Sequence, residues 1–456
     1  MSYDTPWARP LPAVHEPQAA LQELVLELMS PPPTDRQVLK GRGRPATLSD
    51  TFLSFAILWS VLSGWVSQLD LWRLISGFGL GCFAPVPLCD QAVYNRLDRS
   101  GLRLMQRLAC QVSERLFEHA TPFEDRSLAP FASEVYSFDE SVMDPKKRWI
   151  KELRDVPAGA KDLLAGRLSC LFDVRRQCWR RIDVLRDAKA NCQAHAKQLL
   201  ADIKPGALLL FDLGYDNFFW FDGLTQAGFW WISRLRHNSS WKLMHVLVQR
   251  DGESSALVFL GAHRSDQSAY LVRLIRIRYP GRWYSWVTNV TDPLQMSGAE
   301  VARLYGRRWE IELGFRILKE HLGLRLLWSA KPQVIGAQIW ALVTLAQWLH
   351  RLQLQVARRA GVDGFDVSVE LLLRHLARLQ QQAVAQGKGL EEYIAQVGPS
   401  MGLIRPSSRT CIQAPLILWQ EIIWPPPDLI WIRSPRYTHN PGGPDRGKKR
   451  HKEGET

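Results

Sequence analysis

The feature that most constrains this chain is a change of hydrophobic period at "TPFEDRSLAP", residues 121–130. Before it, apolar residues recur at helical spacing in "LQELVLELM", "TFLSFAILWSVLSGWVSQLDLWRLI" and "LRLMQRLACQVSERLFEHA". After it come short runs rich in β-branched and aromatic residues: "SEVYSF", the pair within "GRLSCLFDVRRQCWRRIDVLRD", "GALLLF" and "FWWISRL". With helical patterns at "CQAHAKQLLADI" and before "FWWISRL", the order strand, strand, strand, helix, strand, helix, strand predicts a mixed α/β domain. Its strands end at Asp139 and Asp212, and strand ends are where chemistry tends to sit.

The pattern divides the chain into four parts. Residues 1–18 are Pro-rich and expected to be disordered, and residues 19–125 are expected to form a helical N-terminal domain. Within it, Ser49 or Asp50 should cap one long helix, and a short helix should enter through Asp90. Residues 130–390 form the α/β domain, with an all-β insertion at about 238–290 built from "KLMHVLVQR", "SALVFLGAH", "YLVRLIRIRYP" and "RWYSWVTNV". Helices at 334–360 and 366–386 close that domain, and residues 391–456 end in a basic tail, "GKKRHK".

Composition narrows the partners. Lys and Arg number 58 against 45 Asp and Glu, a net charge of +13 and a pI near 9.5, which suits a polyanion and says nothing of fold. Seven scattered cysteines without a C-x-x-C pair argue against a disulfide framework or a zinc site. The N-terminus lacks the features of a signal peptide. The longest apolar run, "VIGAQIWALVTLAQWL" at 334–349, is interrupted by Gln338 and Gln347 and is too short for a bilayer. The expectation is a cytoplasmic protein with no membrane contact.

Chemistry concentrates in "LYGRRWEIELGFRILKEHLG", residues 304–323. Read as one helix, it places Tyr305, Arg308, Glu312 and Lys319 within an arc of about 60°. Glu312 with Asp139 and Asp212 makes a set of three carboxylates on separate elements. Phosphodiester chemistry by two divalent ions about 3.5–4 Å apart needs such a set, and Mg²⁺, with Mn²⁺ as a substitute, is the expected cofactor. Arg308 suits bidentate phosphate contact and Lys319 a point-charge contact. A solvated helix face with an Arg308–Glu312 pair would give the same pattern. Glu140, Asp144, Asp216, Asp222 and Glu310 compete as ligands; Glu310 should point about 200° away from Glu312.

Two further stretches have the look of DNA contacts. "GRGRP" at 41–45 resembles the core of an AT-hook, with Arg42 and Arg44 suited to a narrow minor groove. Residues 90–107 could form a recognition helix presenting Gln91, Asn95, Arg96 and Arg99.

Tyr305, Arg308, Glu312 and Lys319 stand in the spacing Tyr-x2-Arg-x3-Glu-x6-Lys. With "SFDES" around Asp139, "FDLGY" around Asp212, "VTNVTDP" and "LWSAKPQVIGAQIWAL", this sequence resembles the DDE transposases of bacterial insertion sequences over about residues 133–350. The resemblance implies an RNase H-like core, a mixed sheet with flanking helices, interrupted by the β-rich insertion. It implies cleavage at element ends and strand transfer into target DNA, cut-and-paste through a hairpin. The partners implied are double-stranded DNA, as terminal inverted repeats and target, and a second copy of the chain. It also implies an insertion tryptophan that stacks on a flipped base; Trp286 in "SWVTN" holds the similar position, with Trp283 as the competitor. The alternatives are a transposase-derived DNA-binding or regulatory protein that no longer cuts, and a nuclease that does not join.

Overall fold

The computed structural model describes residue 25 and residues 47–65, 67–118, 126–143, 166–185, 192–201, 203–261, 267–279, 282–324, 327–329, 331–406 and 418–434. Their elements in chain order are α1 (Asp50–Leu62), α2 (Gln68–Arg73), α3 (Asp90–Arg96), α4 (Leu102–Glu118), β1 (Val135–Val142), β2 (Arg167–Asp173), β3 (Cys178–Leu185) and α5 (Cys192–Leu200). Then come β4 (Leu208–Phe211), α6 (Phe218–Gln226), β5 (Trp230–Arg234), β6 (Trp241–Arg250), β7 (Glu253–Leu260), β8 (Val272–Tyr279) and β9 (Arg282–Thr288). The chain closes with α7 (Gly298–Arg307), α8 (Trp309–Arg316), α9 (Pro332–Ala360), α10 (Val369–Ala385) and α11 (Leu390–Val397). It is a mixed α/β protein of two compact units: residues up to 130 with 134–203 and 306–411, and residues 131–133 with 204–305 and 412 onward.

In the first unit the long helix expected from residue 50 is two helices. Ser49 caps α1 by accepting from the Phe52 amide, but Gly64 at φ +69° turns the chain, and Ser67 caps α2 in turn. A left-handed residue ends a helix whatever the apolar pattern beyond it, and glycine adopts that conformation without steric cost. The helix α9 starts with Pro332 in its first turn, ends at Gly361 with φ +66°, and packs against α1 and α4. The glutamines that interrupt its apolar face are satisfied. Gln338 Oε1 accepts from the Trp328 amide at 3.0 Å, and Gln347 Nε2 donates to Ser113 Oγ at 2.9 Å. No helix among the described residues is long and apolar enough to cross a membrane.

Strands β1, β2 and β3 form an antiparallel sheet with β2 in the middle. The register sets Asp139 opposite Cys170, Ser137 opposite Phe172, and Phe172 opposite Trp179. Residues paired across strands share a face, so this face carries Ser137, Asp139, Phe172 and Trp179. It meets α8, where the Phe315 and Trp179 ring centroids lie 5.3 Å apart. The approach depends on Gly314, because a Cβ there would stand 2.5 Å from Trp179 Cζ2. Trp179 is itself 2% exposed and cannot swing into solvent.

On α9, His350 is buried among these side chains. Gln353 Nε2 donates to the Gly364 and Val367 carbonyls, leaving its Oε1 to accept from His350 Nδ1 at 3.3 Å. The proton therefore sits on Nδ1, and burial of the ring pulls the His350 pKa down to about 4.

In the second unit β4 and β5 are parallel, and β5, β9, β8, β7 and β6 follow as antiparallel neighbours. Beyond β6, the Ile423 amide donates to the Leu247 carbonyl at 2.8 Å and Ile422 is buried with Leu247, Leu257 and Phe259. The segment 418–434 thereby covers part of an edge strand, which leaves fewer unpaired backbone groups there.

This packing has two measurable outcomes. Gly314→Ala should lower unfolding stability by about 1–3 kcal/mol through overpacking, measured by urea denaturation. His350 is held neutral, so its folded pKa lies below its unfolded value of 6.5. Its contribution is present above pH 6.5 and lost as pH falls toward 4, at most about 3 kcal/mol. Unfolding measured across that range should flatten in His350→Gln.

Candidate active site

Strand alternation separates the two adjacent acids of β1. Glu140 turns to the face away from α8, where Oε2 accepts from Arg167 Nη1 at 2.6 Å and Oε1 from Ser169 Oγ at 3.0 Å. Its side chain is only 5% exposed, so it is bound into the sheet. Asp139 turns to the other face. Its Oδ1 accepts from the Glu140 amide at 2.8 Å, and its Oδ2 lies 3.6 Å from Arg308 Nη1.

The stretch expected as a single helix at 304–323 is three pieces. The helix α7 ends at Arg307, Arg308 sits in a turn, α8 begins at Trp309, and Ile317–His321 is a π-helical turn in which the Leu322 amide reaches the Ile317 carbonyl at 2.9 Å. Uniform angular arithmetic therefore fails along it, since a wider turn shifts the phase of every residue beyond it. Three residues of the stripe nevertheless meet at β1. Ser137 Oγ donates to the Arg308 carbonyl at 3.4 Å, and Arg308 Nη2 donates to Glu312 Oε1 at 2.6 Å. Farther along, Lys319 Nζ donates to the Val142 carbonyl at 2.7 Å. Arg308 is 7% exposed, so this is no solvated face. Glu310 is buried and pairs with Arg307 and Gln177, away from Glu312 as expected.

In the second unit Asp212 follows β4 and caps the short turn Leu213–Tyr215, its Oδ1 accepting from the Gly214 amide at 2.8 Å. The competing acids nearby have structural partners. Asp216 lies 3.4 Å from Arg236 Nε and 3.5 Å from Ser239 Oγ, and burial pushes its carboxyl up. Asp222 is buried and accepts from the Ala269 amide at 2.8 Å and the Tyr270 amide at 3.3 Å. Asp144, Arg42 and Arg44 lie outside the described residues.

Tyr305 lies 6.2 Å from Trp286, ring to ring, and Trp286 stacks on Tyr284 at 5.9 Å. Trp286 is 1% exposed; Trp283 is 45% exposed, with the Arg276 guanidinium 5.4 Å above its ring. Arg282 and Arg234 lie 4.6 and 5.9 Å from the centre of Tyr284. Sequence reasoning passes over these arginines, although basic and aromatic residues alternate visibly through "RLIRIRYPGRWYSW". In the N-terminal helices, Gln91 bonds to Asn95 at 2.9 Å, while Arg96 bonds to Ser100 at 2.9 Å and pairs with Asp50.

Among the described residues no three His, Cys, Asp or Glu side chains group closely enough to hold a metal ion. The chemistry of the pair Asp139 and Glu312 nonetheless fits a divalent cation. Two carboxylates from different elements converge on one positive group, and they offer the hard oxygens that Mg²⁺ and Mn²⁺ prefer.

Residues 143–349 match the transposase DDE domain family. The match agrees with the motif resemblance to the DDE transposases of insertion sequences. It contains Asp212, Arg308, Glu312 and Lys319, and Asp139 lies just ahead of it. The "Transposase InsG for insertion sequence element IS4" of Escherichia coli is 28% identical over 221 residues, 44% of this chain and 49% of that protein. The "Putative transposase y4zB" of Sinorhizobium fredii is 24% identical over 205 residues, 42% of this chain and 56% of that protein. The chain spans about half the length of these curated relatives. A cryo-EM structure of a piggyBac transposase synaptic complex with hairpin DNA aligns at a TM-score of 0.37 and 10% identity, over 87% of this chain and 82% of that one, a likeness too slight to carry an argument.

The two neighbouring acids of β1 should separate experimentally. Glu140→Gln leaves Arg167 without its charged partner and should cost about 3 kcal/mol of stability. Asp139→Asn should cost clearly less. Thermal or urea unfolding of the two variants side by side checks the difference.

Proposed function

We propose that this chain is a DNA transposase that cleaves the ends of an insertion sequence and joins them to target DNA, cut-and-paste through a hairpin. The observation that carries this reading is the convergence of Asp139 and Glu312 on Arg308, next to a segment that matches the transposase DDE domain. Asp212 is the third acid of the set, and the α/β part is an RNase H-like core with β6–β9 as its insertion. The helices up to residue 125 form a DNA-binding domain, aided by Arg42 and Arg44, and two copies act together on paired ends in the cytoplasm.

Asp139, Asp212 and Glu312 would hold two Mg²⁺ ions, with Mn²⁺ as a substitute. When bound, the ions polarise the phosphate and make water or a 3′-hydroxyl a stronger nucleophile. The chain's own residues supply the rest. Lys319 and Arg308 give positive charge beside the carboxylates, suited to a phosphate whose charge grows in the transition state. Tyr305 offers a hydroxyl donor to the same strand. Water breaks a phosphodiester at the element end and leaves a 3′-hydroxyl. That hydroxyl attacks the opposite strand, one phosphodiester forming as another breaks, and the resulting hairpin is opened by water before the end joins target DNA.

Of the two candidate indoles, Trp283 is exposed on an arginine-rich strand pair, with the Arg276 guanidinium over its ring, whereas Trp286 is packed between tyrosines. Stacking of a flipped base on Trp283 needs no rearrangement of the core. This reverses the preference that the motif alignment gave to Trp286.

The test is incubation of the full chain with a labelled duplex carrying the element's end, with Mg²⁺ or Mn²⁺. Wild type should give hairpin and joined products. Asp139→Asn, Asp212→Asn and Glu312→Gln should bind the duplex and give none, and retained cleavage in Glu312→Gln would overturn the assignment. Cleaved ends without joined products would point to a nuclease.

A further inference from the structure

We propose that Arg308 is an internal counter-cation: it holds Asp139 and Glu312 together when no divalent ion is bound, and it turns to a DNA phosphate when the carboxylates take the ion. The inference rests on the proposed function in treating these carboxylates as ion ligands. It goes beyond that function by giving one residue two successive partners.

The geometry points to this role. The Arg308 side chain is 8% exposed, with Nη1 3.6 Å from Asp139 Oδ2 and Nη2 2.6 Å from Glu312 Oε1. The side chains of Asp139 and Glu312 are themselves 16% and 31% exposed. Two carboxylates that converge on one guanidinium, partly out of water, would repel each other without it. A guanidinium meets that need with one delocalised charge and a planar fork of donors.

A divalent ion meets the same need with more charge and shorter contacts. The ion and the guanidinium compete for the same carboxylate oxygens, so the ion's gain is Arg308's loss. Arg308 is fixed to the fold through its backbone. Its backbone lies in the turn between α7 and α8, and Ser137 Oγ holds its carbonyl rather than its guanidinium. The other cation of the stripe, Lys319, is anchored on the Val142 carbonyl.

Linkage makes the exchange reciprocal. An ion that displaces Arg308 frees a bidentate phosphate ligand, and a phosphate that draws Arg308 away uncovers the carboxylates. Ion and DNA therefore each strengthen binding of the other by the same factor. This device also prevents the acids from splaying apart before the substrate arrives.

The experiment measures Mn²⁺ binding to the full chain without DNA, following free Mn²⁺ by electron paramagnetic resonance. The variants are Arg308→Gln, Arg308→Lys, Asp139→Asn and Glu312→Gln, each checked for folding by circular dichroism. With its competitor removed, Arg308→Gln should bind Mn²⁺ at least about fivefold tighter than wild type, the lower end of the range for coupled sites. Arg308→Lys, which keeps a charge but loses the fork, should tighten binding by less. If Arg308 merely braced the fold, its removal would leave Mn²⁺ binding equal or weaker, and that result overturns the proposal. Should Arg308→Gln fail to fold, equal or weaker binding by Arg308→Lys overturns it instead. Asp139→Asn and Glu312→Gln distinguish the two levels. If both bind Mn²⁺ like wild type, the carboxylates are not ion ligands and the proposed function fails as well. If both lose the ion while Arg308→Gln shows no tightening, the counter-cation role alone is lost.

Discussion

Asp139 and Glu312 come from a strand and a helix far apart in the chain, and both meet one buried guanidinium. Bringing them together is unfavourable by itself, so the architecture around them has to supply both a cation and a rigid frame. Arg308 supplies the cation. The frame is the antiparallel sheet β1–β3, which fixes Asp139 by its register, and the close seat of α8 on Trp179, which fixes Glu312. The missing side chain at Gly314 lets the helix sit that deep.

The same frame explains why so many neighbouring acids are not equivalent. Alternation on β1 sends Glu140 to Arg167 and Ser169, and the turn of α8 sends Glu310 to Arg307 and Gln177. Asp222 is consumed by two backbone amides. Each of these carboxylates is satisfied by groups that belong to the fold, whereas Asp139 and Glu312 share one guanidinium, the arrangement on which the proposed ion exchange rests. Satisfied buried acids brace a structure, and exchangeable ones can do chemistry.

Much of this was legible in the sequence. The strands that carry Asp139 and precede Asp212 stand out as short apolar runs, and α9 and α10 as long periodic ones, because burial imposes those patterns directly. The break at Gly64, the turn at Arg308 and the π-helical turn after Arg316 were not legible as interruptions. The break at Gly64 is marked by Ser63, Gly64 and Ser67, which apolar period alone passes over, whereas the residues around Arg308 and Arg316 are mostly good helix formers and only tertiary contacts decide where that helix yields. The choice between Asp139 and Glu140 was open for a related reason: it turns on strand register, which a single strand's sequence does not contain. Likewise Trp283 and Trp286 look alike in sequence and differ only in which of them the neighbouring strands cover.

The proposed function stands on Asp139, Asp212 and Glu312 as ion-binding carboxylates. The most direct test replaces the ion with Fe²⁺ and lets ascorbate and peroxide generate hydroxyl radicals at the bound iron, which cut the polypeptide beside its ligands. Mapping the fragments by mass spectrometry should give cuts clustered near residues 139, 212 and 312, all suppressed by excess Mg²⁺. Cuts clustered elsewhere, or cuts near these residues that excess Mg²⁺ leaves unchanged, would contradict the claim.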